Sequence, residues 1–469
     1  MSYQGEKASK LGHTPIIFNP NIKESIKTYN VVFNNDDTMT TLSDKLKKVE
    51  SQDNNLDHIF SVDGSFTDVS VDDRYPSARI GFIQFSMNLI KLYENSKVTI
   101  NGIINPIEYN KLMQAHTQAF DIPIYNTTVG PYSNLKDSIR FKISEHLANL
   151  KTYDEMGISV LDTLYEIISD DEFSKSFKCI NPLCESNSAE EVGILFKKKD
   201  FNNKYKKCSC EYCNNELYLI DYLRLHEIVD EEFGATGILS RLSRVIEQLY
   251  PINFIMNLLR SDEEENIKYD ALSKIGFMLD GPLAIYGEPA KLHKSIHRYL
   301  LKVNENLVNK GFEPLVYFGI VKTGTIVDHV RAMIDYMKFG DEKIELPKEQ
   351  LLMISDDYRF KNIMPPTQNP PFGKETYYGQ DMVYFNEKSK FYVINVLYPV
   401  EKNTSIFKKS KFDVKLYNQL GKIVDLLEQL EVDLYDMALL PIVLGHKYAS
   451  ISLNPGVISL QEFGKSILK

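Results

Sequence analysis

Apolar positions along this chain fall into a few unbroken runs and several stretches of helical spacing. Ile59-Phe60-Ser61-Val62 is a short β-prone run that closes on Asp63-Gly64-Ser65. Arg79 to Leu92 (RIGFIQFSMNLIKL) is rich in β-branched and aromatic residues and predicts a strand running into helix. Ile275 to Leu279 and Leu315 to Val321 are continuous apolar runs, as expected of strands covered on both faces, and Ala290 to Asn309 between them has helical texture. Ile238, Leu242, Val245 and Leu249 recur at i, i+4, i+7 and i+11, one face of an amphipathic helix over 236–248 that Pro251 ends or kinks. Helical spacing also covers most of 107–165 and 415–430, and Met382 to Tyr398 predicts a hairpin around Asn386-Glu387-Lys388-Ser389. The first fifty-odd residues are polar and helical in part, without a strong strand signal. The proline cluster Pro365 to Pro371 reads as a loop.

Strand, helix, strand with continuous apolar strands predicts an α/β fold with a mixed, largely parallel sheet. The segment 170–220 differs in kind: charged, cysteine-bearing, and lysine-rich from Lys197-Lys198-Lys199 to Lys206-Lys207. It reads as an inserted module. The expected plan is a polar, partly helical segment over 1–55, a core in two parts over 56–169 and 221–469, and the insertion over 170–220.

Composition narrows the class. Apolar residues make up 43% and charged residues 25%, which excludes disordered and fibrous chains. No apolar run reaches the roughly 18 residues of a membrane span, and the first residues lack the apolar stretch of a secretory signal, so a cytoplasmic protein with no membrane association is expected. Fifty-four Lys and Arg against 64 Asp and Glu give a net charge of −10, which excludes a broadly basic nucleic-acid coat but leaves room for a local basic groove.

All five cysteines fall between Cys179 and Cys213. A disulfide framework spreads its cysteines, whereas clustering points to a metal. Cys179-x4-Cys184 and Cys210-x2-Cys213 supply two pairs of soft ligands, the number a tetrahedral zinc ion takes, with Cys208 an alternative to Cys210. Four ligands close such a site, so its zinc is structural. The neighbouring lysines can touch a phosphate backbone or form a solvated charged face.

Three apolar runs finish on charge: at Asp63, at Asp280 and at Lys322. Ligands of α/β sheets gather at the carboxyl ends of strands, so these groups are candidates to converge. Both aspartates precede glycine, which lets the backbone turn and a phosphate approach. Paired carboxylates that share divalent cations suit phosphodiester hydrolysis, and a lysine beside them stabilises charge on phosphoryl oxygens. Asp-Gly is also a common tight-turn dipeptide, and two independent turns are the plainer alternative. Glu247 lies opposite the apolar stripe, where it can serve the site or face solvent paired with Arg244. His446 adjoins an apolar run. His226 and the i, i+4 pair His293 and His297 lack the pattern of a helical zinc motif.

In order along the chain, Ser61-Val62-Asp63-Gly64-Ser65, Arg241 to Glu247, Met278-Leu279-Asp280-Gly281-Pro282-Leu283, Gly319-Ile320-Val321-Lys322 and Pro441 to Ala449 with His446 resemble the NurA nuclease family. Leu217 to Glu227, directly after the cysteines, looks like its zinc-ribbon-bearing bacterial branch. The resemblance spans about residues 56 to 460. It implies an RNase H-like core, a manganese-dependent (or magnesium-dependent) nuclease acting in DNA-end processing and repair, and a homodimer that docks on a HerA-type hexameric ATPase. Carried over, it makes Asp63 and Asp280 metal ligands, Glu247 a third acidic ligand, His446 a histidine near metal or phosphate, and Lys322 a phosphate-contacting lysine. A non-catalytic zinc-ribbon adaptor anchoring an ATPase or DNA, and a hydrolase of free nucleotides, are the competing readings.

Overall fold

The computed structural model describes residues 13–29, 45–92, 99–100, 103–104, 115–152, 157–187, 197–339, 345–364, 373–402, 405–432, 437–451 and 456–467. The proline cluster at 365–371 lies outside them. Two short helical segments, Thr14–Ile17 and Pro20–Ile26, open the described chain.

Among the described residues, a nine-stranded sheet organises the molecule. Its strands are β1 (Leu46–Lys48), β2 (His58–Ser70), β3 (Arg79–Lys91), β6 (Ala115–Tyr125), β9 (Ile275–Asp280), β10 (Val316–Ile320), β11 (Gln350–Met353), β12 (Gly379–Phe385) and β13 (Phe391–Leu397). The pairs β4 (Thr99–Ile100) with β5 (Ile103–Ile104), and β7 (Lys207–Ser209) with β8 (Glu216–Tyr218), form two small sheets of their own. The large sheet runs β1-β11-β12-β13-β10-β9-β2-β3-β6. Only β2 with β9 and β9 with β10 are parallel; every other pairing in it is antiparallel. The expectation of a largely parallel sheet is therefore corrected. Continuous apolar strands report coverage on both faces, not direction, and here helices cover a mixed sheet.

That coverage is visible in the alternation along each strand. Phe60, Phe277, Leu279 and Tyr317 join one core, while Ile59, Met278, Val316 and Phe318 join the other. The first core is closed by helices α1 (Leu135–Asn149), α2 (Val160–Ile167), α3 (Gly237–Arg260) and α4 (Leu292–Asn309). The second is closed by the helix Thr325–Phe339 and by α5 (Leu420–Leu430), and a smaller cluster lies under α6 (Leu440–Ala449).

Three local expectations change. Among the described residues of 107–165, Ala115–Tyr125 is not helical but an edge strand, in which Pro123 is tolerated. Leu46–Lys48 is a strand at the opposite edge. Arg79–Lys91 is strand throughout, paired residue for residue with β2. The predicted hairpin over 382–398 forms as β12 and β13. The helix predicted to end or kink near Pro251 continues to Arg260, and Pro251 has no N–H to offer the carbonyl of Glu247 one turn earlier.

The cysteine-bearing segment packs onto this frame. Capping boxes at Ser159 with Asp162 and at Ser169 with Glu172 start the helices leading into it. Beyond it, buried Arg140 of α1 grips Asp221 through two bonds, Nε to Oδ1 at 2.8 Å and Nη2 to Oδ2 at 2.6 Å. Removing one partner of such a pair strands a buried charge, at a cost of about 3–5 kcal/mol. Phe173, Phe177 and Phe201 continue the first core into the segment.

Candidate active site and cysteine module

Asp63 is not at the end of its strand. β2 runs on to Ser70, and Asp63 faces Ser86 of β3 within an unbroken antiparallel register. Gly64 is therefore no turn glycine. A Cβ there would stand 2.7 Å from both Phe85 and the Ser243 hydroxyl, so the glycine lets α3 lie close against the strand. This removes the reading of Asp63-Gly64 as a tight turn. Asp280 does end β9, and Gly281 after it takes φ +93°. The last paired residues of β2 and β9 are Val62 and Leu279, so Asp63 and Asp280 occupy the next positions, where β9 stops and β2 continues. Lys322 follows the end of β10, the next parallel strand.

Four of the five residues singled out in the sequence are tied together by contacts or charge from the strands and α3, and the fifth approaches from α6. Lys322 Nζ donates to Asp280 Oδ2 at 2.6 Å. His446 Nδ1 of α6 lies 3.3 Å from Asp63 Oδ2, without hydrogen-bond geometry. Gly445 makes this approach possible, since a Cβ there would be 3.1 Å from Asp63 Cβ. Glu247 of α3 accepts from Arg244 Nη1 at 3.2 Å and from the Ser243 hydroxyl at 3.3 Å. It does not face open solvent; it pairs with Arg244 and lies in the field of both aspartates.

The electrostatics follow from that crowding. Burial, then the charge of Asp280, raise the Asp63 carboxyl above its ordinary value, against the opposing pull of His446 and Lys322. Burial pushes Glu247 up to about 7, with Asp63 and Asp280 adding to the rise and Arg244 opposing it. Asp63 Oδ2 is buried and has no hydrogen-bond donor. A buried carboxylate oxygen left in this way is costly unless a cation or donor satisfies it, so this acidic set fits a divalent ion. The three carboxylates do not close to within 4.8 Å of one another; among the described residues only cysteines form a set that compact.

That set is Cys179, Cys184, Cys210 and Cys213. The sulfurs of Cys179 and Cys213 are 3.6 Å apart, and those of Cys184 and Cys210 are 3.7 Å apart. Four sulfurs converging on one point can hold zinc. Cys208 is outside the set, on β7 opposite Leu217, and Cys210 is within it. Several lysines nearby are engaged internally: Lys198 donates to the Ile168 carbonyl at 2.9 Å, Lys206 pairs with Asp162 at 2.9 Å, and Lys207 pairs with Glu216. His293 and His297 meet backbone carbonyls of Ala290 (2.6 Å) and Tyr398 (3.2 Å), and His226 lies 3.7 Å from Asp221. None of the three joins the carboxylate site.

Arg244 is the residue that the sequence underrates. Its guanidinium donates to the carbonyls of Asp280 (2.9 Å), Pro282 and Ala284 (3.4 Å) while holding Glu247, so it fastens α3 to the turn that carries Asp280. Its spacing three residues before Glu247 marks a helical pair, but not the turn it grips.

No protein-family model matches the chain, and no curated protein matches it. Among solved structures it is similar to the NurA nuclease from Sulfolobus solfataricus, at 11% identity and a TM-score of 0.32 over 98% of each chain. A second NurA crystal structure is similar at 11% identity and a TM-score of 0.29, over 98% of this chain and 99% of that one. Likeness of this size does not by itself carry chemistry across, and the functional reading rests on the site.

Proposed function

We propose that this protein is a metal-dependent phosphodiester hydrolase acting on DNA, a nuclease of NurA type. The observation that carries the reading is the convergence of Asp63, Asp280, Glu247 and Lys322 where parallel strands β2 and β9 part, with one buried Asp63 oxygen lacking any donor. The strand order β6-β3-β2-β9-β10, with β3 antiparallel to both neighbours and β2, β9 and β10 parallel, supports an RNase H-like core. The segment 170–220 is then an insertion into a core formed by 56–169 and 221–469, with 1–55 preceding it.

Asp63, Asp280 and Glu247, with His446 at the rim, would hold manganese or magnesium. Such an ion supplies charge neutralisation at the phosphate and a more acidic attacking water. Lys322, placed by its bond to Asp280, meets charge building on phosphoryl oxygens. His446, with its side chain largely exposed beside Asp63, can take or give a proton at Nδ1. Zinc on the four cysteines is structural in this reading. A second copy of the chain and a HerA-like ATPase ring are the partners it implies, the ring feeding DNA to a chain whose net charge of −10 disfavours autonomous binding.

The adaptor reading draws on one observation, that the cysteines are the compact ligand set. The two separate on variants. Incubated with labelled DNA and with free nucleotides in manganese, the wild type should cut polymer and spare nucleotides, and Asp280→Asn should lose cutting while staying folded. An adaptor predicts no cutting by either, and partner capture that survives Asp280→Asn but not Cys210→Ser.

A further inference from the structure

The chain after β9 runs back along α3. It begins at Arg244, bonded to the carbonyls of 280, 282 and 284, and reaches Arg241, against which Gly287 lies so close that a Cβ would stand 2.7 Å from Nε. Arg244 and Arg241 precede Glu247 by three and six residues, about 5 and 9 Å along the helix axis. Beside this line the loop presents Tyr286. Its hydroxyl donates to that of Tyr377 at 2.8 Å, and the two rings meet edge-on with centroids 5.9 Å apart. Tyr286 is still 40% exposed, a ring anchored at its hydroxyl and open to solvent.

Beyond Arg241 the surface gathers cations. Lys291 and Lys294 stand at the start of α4, Arg224 comes from the turn after the cysteine module, and Lys178 precedes its first cysteine; all four are exposed. The turns Leu219–Leu223 and Leu225–Ile228 that flank Arg224 both pack on Glu288–Lys291, which sets Arg224 beside the start of α4. In keeping with that, partial burial and then the charges of Arg224, Lys294 and Lys178 hold the Lys291 ammonium below its ordinary value. Glu227 pairs with Arg224 at 2.6 Å, Glu288 with Arg241 at 3.4 Å and Glu375 with Lys294 at 3.6 Å. These three carboxylates do not offset the five cations, and the strip is locally positive on an acidic chain.

We propose that Tyr286 and Arg241, with Lys291, Lys294, Arg224 and Lys178, form a track for one unpaired strand of nucleic acid, leading from the carboxylate site to the cysteine module. The proposal rests on the reading of that site as a nucleic-acid hydrolase. A fixed, exposed aromatic ring beside a basic line is how proteins hold single strands: cations follow the phosphates and the ring stacks on a base. A duplex hides its base faces, so the tyrosine selects an unpaired end. The module then has a task besides folding, since it positions Lys178 and Arg224 at the far end of the track.

The test is the fluorescence anisotropy of a labelled oligothymidylate, and of a duplex of equal length, with full-length Asp63→Asn protein and no added divalent ion. Tyr286→Ala should weaken single-strand binding about tenfold, Tyr286→Phe should keep it within about twofold, and duplex binding should change by less than about twofold. Lys178→Gln with Arg224→Gln should weaken binding and flatten its salt dependence by about one to two counterions. Single-strand affinity of Tyr286→Ala within twofold of the parent, or equal losses on both ligands, would overturn the track. Cleavage by the wild type is read separately. A protein that cuts nothing yet loses single-strand binding with Tyr286→Ala keeps the track and refutes the hydrolase, while one that cuts but ignores Tyr286 does the reverse.

Discussion

Glu247 is largely buried beside two aspartates, and that burial with their charge carries its carboxyl up to about 7 although Arg244 pulls the other way. Its unfolded value is 4.5, so below that pH both states hold the proton and nothing is lost. Between about 4.5 and 7 the unfolded chain releases its proton first, and stability falls as pH rises, levelling off above the folded value. Without added divalent ion, Glu247→Gln should remove that loss and raise stability at pH 8 by roughly 3 kcal/mol, read by urea unfolding at pH 5 and pH 8. Added manganese should narrow the difference, because an ion on the carboxylates favours their charged form. The chemistry of this residue was legible in the sequence only as a choice between solvent and site. Spacing showed that Glu247 lay off the apolar stripe, but not that the sheet beneath brings Asp63 and Asp280 up to meet it. Asp280 and Lys322 were read more directly, because a strand that stops on a charge leaves it at the sheet's carboxyl edge.

At the level of elements, the approach of α3 and α6 to β2 depends on two missing side chains. Gly64→Ala would place a methyl group 2.7 Å from Phe85 and Ser243, so the ring of β3 or the serine of α3 must shift to admit it. Overpacking of this kind costs about 1–3 kcal/mol. The variant should lower the melting temperature moderately and cut activity far more than the stability loss explains, because α3 carries Glu247. Equal melting temperatures and equal activity for Gly64→Ala and wild type would count against the close packing. Here the sequence misled: Asp63-Gly64 reads as a turn because Asp-Gly elsewhere ends strands, and only the thirteen-residue register with β3 shows it to be strand interior. The edge strand Ala115–Tyr125 was missed for a related reason. Its histidine, glutamine and proline blur the alternation, and an edge position tolerates all three. Strand direction was not legible either, since alternation and apolar runs are the same read forwards or backwards.

Across the whole molecule, the cysteine module is fastened through Arg140 and Asp221 and shares the first core with the sheet. It should therefore not come loose alone. Zinc analysis should find one ion per chain, and Cys210→Ser should lose it and lower the melting temperature of the whole protein rather than of one fragment. A melting temperature unchanged by that substitution would separate module from core. Among the described residues, no helix is long and apolar enough to cross a membrane. The role of the carboxylates where β2 and β9 part is decided by cleavage of a labelled oligonucleotide by wild type and Asp63→Asn in manganese, magnesium and EDTA. The wild type should cut with either ion and not in EDTA, and Asp63→Asn should lose at least about a hundredfold with its fold intact. Cutting by Asp63→Asn at the wild-type rate, or wild-type cutting undiminished in EDTA, would contradict that role.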